Sequence, residues 1–242
     1  MTFDLAAIIT IVVSVLITLV VARLCVRNLS VENPSKMQNF LEWAVDFMHS
    51  TIASSMPVHK VRPYLALGMT LIMFIFISNL LGLPLLISTS STDVVPWLSN
   101  GTAADLAAHH GELVYAWWKS PTADLSVTTG LALVVFVLVH FLGMKLNRRD
   151  YLKHYFKPYP VFFPVNLIET IAKPVTLALR LFANIYAGEV LISTILMLNW
   201  FGIPFLIAWQ GFSIFIGAIQ AFLFTVLTMV YISQATLSDE EH

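Results

Sequence analysis

Charge is what this sequence has least of. Lys, Arg, Asp and Glu make up 11% of its 242 residues, while 58% are hydrophobic and the mean hydropathy is +0.81. A soluble domain carries roughly 25% charged residues, so a water-soluble globular fold is excluded and the chain reads as an integral membrane protein. Cysteine is nearly absent as well: Cys25 stands alone. No internal disulfide and no cysteine metal cluster can form, and Cys25 reads as a small apolar filler beside the first span. No glycine-rich phosphate-binding loop occurs, so nucleotide chemistry is expected on other chains and no cofactor is implied here. A net charge of −1 offers no handle to nucleic acid or to a strongly charged soluble partner. No basic residue precedes the first apolar run, which is longer than a signal-peptide core, so that run is expected to be retained as a span.

What is present is a series of long apolar runs. The first expected span covers residues 5–25, uncharged from Leu5 to Ala22 and closed by Arg23 and Arg27. Residues 36–56 differ. Met37, Phe40, Leu41, Ala44, Met48 and Ile52 recur at helical spacing, while Lys36, Asn39, Glu42, Asp46 and His49 take other positions, which predicts an amphipathic helix in the membrane interface. A second span is expected over 64–87, where Asn79 reads as a hydrogen bond to a neighbouring helix and Pro84 as a bend or end. Residues 88–124 read as a solvated loop with four acids, one base and the pair His109 and His110, which lack further ligands at metal-binding spacing. A third span follows at 125–144, with His140 at its far end, where a histidine at headgroup level is commoner than a proton relay. Two further apolar segments cover 161–200 and 202–235.

Basic residues set the orientation. Residues 23–63 hold five Lys and Arg, residues 88–124 one, and residues 145–160 five. The positive-inside rule makes the rich segments cytoplasmic and puts the N-terminus and the acidic loop outside. The two remaining bases, Lys173 and Arg180, lie inside residues 161–200.

That stretch concentrates the chemistry. As one helix its forty residues would be about 60 Å long, roughly twice the hydrocarbon thickness. Yet it holds Glu169, Lys173, Arg180, Asn184 and Glu189, and a charged side chain at bilayer depth costs about 2.5 to 3.5 kcal/mol on insertion scales. At 100° per residue Asn166, Glu169, Lys173, Arg180 and Asn184 form one polar stripe, and Glu189 points to the opposite side. The last segment carries Gln210, Ser213, Gly217, Gln220, Thr228 and Tyr231 at similar spacings. A helix-to-helix seam with Glu169 and Lys173 as a neutralising pair, small residues that let helices approach closely, and a divided aqueous path all remain open from spacing. Arginine suits a fixed gate, because its guanidinium stays charged where a buried lysine would lose its proton. Two further readings remain open: a secondary transporter binding an anion at Arg180, for which no internal repeat is visible, and a purely structural anchor.

The run from Lys173 through Pro174, Arg180, Phe182 and Asn184 to Gly188 and Glu189 resembles the signature of subunit a of rotary F-type ATP synthases. Ser78 to Pro84, Pro164 to Glu169 and Gln220 to Tyr231 extend the resemblance over essentially the full length. It implies an all-α membrane protein with five crossings, the last two helices long and steeply tilted, plus one interfacial helix. It implies an essential Arg180 facing a carboxylate of the c-subunit ring, with Asn184, Glu189, Ser213 and Gln220 along an outer half-channel and Glu169 and Lys173 on the cytoplasmic side. Two positions depart from the family's usual pattern: Ser213 stands where many relatives have histidine or an acid, and Ala183 where glycine is common. The implied partners are the c ring, a b-subunit peripheral stalk, other ATP synthase subunits, lipid and protons. The implied location is a bacterial plasma membrane, with the N-terminus outside and the C-terminus cytoplasmic.

Overall fold

The computed structural model describes residues 5–27, 29–82, 87–91, 113–118, 120–146, 148, 151, 152, 155, 156 and 159–236. Six helices dominate them: α1 (Leu5–Val26), α2 (Lys36–Ala53), α3 (Val58–Gly82), α4 (Leu125–Leu146), α5 (Phe163–Leu196) and α6 (Gly202–Thr236). All but α2 are long and apolar enough to cross a membrane. The second span begins six residues earlier than expected, because Val58 follows Pro57 directly and Pro63 is accommodated inside the helix. Helices α5 and α6 contain 34 and 35 residues, each about 50 Å long at 1.5 Å per residue. A hydrocarbon core of about 30 Å therefore obliges both to incline or to project beyond it.

Helix α2 is capped by Ser35, whose hydroxyl accepts from the Gln38 backbone N–H at 3.2 Å. Gln38 in turn ties the preceding segment down, donating to the Ser30 carbonyl and accepting from the Ser30 N–H, each at 3.0 Å. Met48 and Ile52 are fully buried on one side of α2, while Phe40 and Trp43 on the other remain exposed.

The segment between α3 and α4 departs from the expected loop. Strand β1 (Ile87–Ser91) pairs antiparallel with β2 (Leu113–Trp118). The β2 sequence LVYAWW is aromatic and β-branched, and such residues favour a pleated ladder. His109, His110 and the acids Asp93, Asp105 and Glu112 lie outside the described residues, as does Pro84.

Helix α6 is the centre of the bundle, packing on α3, α4 and α5. Ile75, Leu181, Phe224, Met229 and Ile232 are buried where these helices meet. Asn79 fixes the α3–α6 crossing: its amide donates to the Gly217 carbonyl at 3.1 Å and its carbonyl accepts from the Thr122 hydroxyl at 2.8 Å. A Cβ at position 217 would sit 3.2 Å from that of Asn79, so glycine there permits the approach that makes the bond. The expected interhelical role of Asn79 is the one observed.

Candidate functional site

Helices α5 and α6 run antiparallel, and contacts at their two ends set the register. At one end the Lys173 ammonium lies 5.6 Å from the centre of the Tyr231 ring and 3.3 Å from Gln234 Oε1. At the other, Ile185 and Ile192 cluster with Leu206 and Trp209. This register carries Glu189 to the level of Ser213, and Asn184 to that of Gln220. Arg180 stands between the two ends.

Lys173 pairs with Glu169 at 3.1 Å, one helical turn away, and Glu169 is 61% exposed. A pair so open to solvent is worth little in stability, about 0 to 1 kcal/mol. Both side chains line a cavity of about 70 Å³ between α4, α5, α6 and the segment before α5. At roughly 30 Å³ per molecule it has room for a few waters. Asn166, Tyr231, Gln234, His140, Tyr151 and Tyr155 line the same space, and the Asn166 amide donates to the Tyr155 carbonyl at 3.0 Å. Burial, and then the neighbouring Tyr155, holds the Tyr151 hydroxyl above the usual phenol range. A raised pKa of this kind lends stability below the ordinary phenol value of about 10 and loses it only above, so Tyr151 stays protonated near neutrality.

The Glu189 end is drier. Ser213 and Gln220 are buried, with 3% and 6% of their surface exposed. Ser213 Oγ, Gln220 Nε2, Trp209 Nε1 and Ser78 Oγ are buried without a hydrogen-bond partner among the described residues. Such atoms cost about 1 to 3 kcal/mol each unless water or a partner meets them. Glu189 and Asn184 are half-buried on α5 above them.

Arg180 belongs to neither group. Its side chain lies on the exposed face of α5, with Thr176, Ala183 and Ala187 one and two turns away on the same exposed strip. No described carboxylate is within ion-pair distance of it, although Tyr231 is near enough to feel its charge. The stripe expected from spacing is therefore divided: Asn166, Lys173 and, at its solvent-open side, Glu169 line the cavity, while Arg180 looks outward. Of the α6 stripe, Gly217 serves close helix approach, whereas Ser213 and Gln220 present polar atoms to the interior.

His140, Tyr151, Tyr155 and Gln234 were not singled out from spacing as site residues, nor were Trp209 and Ser78. For His140 the signal was present as an imidazole inside a span, but the tyrosines that meet it lie beyond the span, where the sequence shows no apolar periodicity. Among the described residues no three His, Cys, Asp or Glu side chains gather as a metal site.

Comparison with known proteins gives a consistent answer. The family described as ATP synthase A chain matches residues 7–233. ATP synthase subunit a of Bacillus pumilus (strain SAFR-032) is 41% identical over 257 residues, covering 99% of this chain and 95% of that one. The subunit a of Priestia megaterium (strain ATCC 12872 / QMB1551) is 42% identical over 248 residues, covering 99% and 94%. That of Bacillus subtilis (strain 168) is 41% identical over 256 residues, covering 99% and 95%. With five apolar helices long enough to span a bilayer and a match over nearly its whole length, the chain belongs to the ATP synthase A chain family.

Proposed function

We propose that this multi-pass membrane protein is the stationary, proton-translocating subunit of an ATP synthase membrane sector, acting as one membrane domain. Other ATP synthase subunits are its partners. Two half-paths on it load and unload carboxyl groups on a ring of c subunits, and a b-subunit peripheral stalk holds it still. The observation that carries this reading is Arg180, an uncovered cation on the outward face of a membrane helix, standing between two separate polar sites. Small neighbours at Thr176, Ala183 and Ala187 suit the close approach of another helix.

Elementary electrostatics gives each site its part. A ring carboxyl crosses lipid only when protonated, because an isolated carboxylate is strongly disfavoured there. Beside Arg180 the balance reverses: at about 4 Å and an effective dielectric of about 20 the attraction is about 4 kcal/mol, near three pKa units, so the acid releases its proton. The guanidinium cannot itself accept that proton, and so separates the two paths. In the direction of synthesis protons enter along Glu189, Ser213, Asn184 and Gln220 and leave by Glu169 and Lys173. Each charge crossing releases about 2.3 kcal/mol per 100 mV, so several crossings drive one ATP. The location is a bacterial plasma membrane; the clustering of Lys and Arg supports an N-terminus outside, and five crossings then bring the C-terminus to the cytoplasm.

The test is Arg180→Ala in membranes carrying the assembled complex, with ATP-driven proton pumping and passive proton leak both measured. Coupled pumping is expected to vanish and leak to rise. Pumping at the wild-type rate would defeat the gate, and loss of uptake of a single solute would favour an anion transporter.

A further inference from the structure

At the cytoplasmic end of α4, His140 turns toward the cavity rather than the headgroups. Its Nδ1 lies 2.9 Å from the Phe136 carbonyl. A carbonyl only accepts, so Nδ1 carries the hydrogen and Nε2 keeps its lone pair. Nε2 lies 3.4 Å from the Tyr155 hydroxyl, which lies 3.1 Å from that of Tyr151. The Tyr151 ring meets the imidazole edge-on at 5.9 Å. Gly143, one turn past His140, admits that ring, since a Cβ there would stand 2.7 Å from it. All three side chains line the cavity that Glu169 and Lys173 also line.

We propose that His140, Tyr155 and Tyr151 form a proton relay between the Glu169 cavity and the cytoplasm, a role that rests on the half-path reading above and deepens it. In the outward direction the imidazole swings so that Nε2 takes the proton of a protonated water in the cavity, leaving neutral water and an imidazolium, and swings back so that Nε2–H donates to the Tyr155 oxygen. Tyr155 passes its own hydroxyl hydrogen to Tyr151, and Tyr151 releases one to water. One proton enters, one leaves, no electrons move, and rotation of the two hydroxyls resets the line. ATP-driven pumping runs it in reverse. The charged and titratable groups facing His140 are Glu169 and Lys173 on α5, Tyr231 on α6, and the two tyrosines.

The experiment uses the intact synthase in inverted membrane vesicles, whose outer face is the cytoplasmic one. ATP-driven proton uptake is followed against external pH for wild type, His140→Gln, His140→Phe and Tyr155→Phe, with and without added imidazole. Wild type should inflect between about pH 5 and 8, where an imidazole changes charge. Both His140 variants should lose that inflection, fall about tenfold at the alkaline end, below the usual loss for a positioned acid or base because cavity water carries part of the flow, and recover with imidazole. Tyr155→Phe should fall similarly without losing assembly. Wild-type rates and profile in the His140 variants would overturn the relay, as would an equal loss at every pH that imidazole does not relieve, the mark of a packing role. Persistent coupled pumping in Arg180→Ala would instead sink the half-path reading itself, so the two failures are distinguishable.

Discussion

At the Glu169 end of the α5–α6 seam the polar groups meet one another: Glu169 with Lys173, Lys173 with Gln234, and His140 with Tyr155. At the Glu189 end Ser213, Gln220 and Trp209 keep polar atoms buried without a described partner. Both ends use similar residue types on the same two helices. The difference lies in what surrounds them. Near the surface the polar side chains satisfy one another, and solvent can take up the hydrogen bonds of a member that is removed. Deeper between the helices each polar group is present despite a desolvation cost, so on the half-path reading its loss is expected to be felt in transport more than in folding.

The largest effect that would break this contrast is a carboxylate exchange. Glu189→Gln should lower ATP-driven pumping by about a hundredfold, within the range for a lost acid-base group, while Glu169→Gln, on the exposed site, should cost about tenfold or less. Equal losses would erase the distinction. Next comes Asn79→Ala, which removes its hydrogen bonds to the Gly217 carbonyl and the Thr122 hydroxyl across the helix crossing. Thermal unfolding of the detergent-solubilised complex should register a destabilisation of about 1 to 3 kcal/mol, with pumping per folded complex little altered. Ser213→Ala sharpens the comparison from the other side: deleting an unsatisfied hydroxyl should leave thermal stability unchanged or slightly raised, yet slow pumping severalfold. Smallest is Lys173→Ala, whose solvent-screened ion pair should contribute no more than about 1 kcal/mol to the same unfolding measurement.

Much of this molecule was legible before any coordinates. Composition declared the membrane, and apolar runs located five long helices, because a bilayer demands length and hydropathy with few alternatives. Arg180 and its neighbours stood out since charge within such runs is costly. Spacing along one helix could not tell which members of the stripe turn inward, because that depends on the α6 register set by Tyr231 and Trp209. Nor could it bring His140 to Tyr155, which lies 15 residues on and beyond the apolar run, where hydrophobic periodicity carries no information. The strand pair was missed for a related reason: LVYAWW is too short to distinguish from any apolar run without its partner.

The outward placement of Arg180 also bears on how such a protein is made. A lone copy released into lipid would hold a permanent positive charge against acyl chains, with no described carboxylate beside it to quench it. An acidic neighbour settling on that face would relieve the cost, so on the reading proposed above the comfort of this subunit in lipid and its assembly with a partner go together.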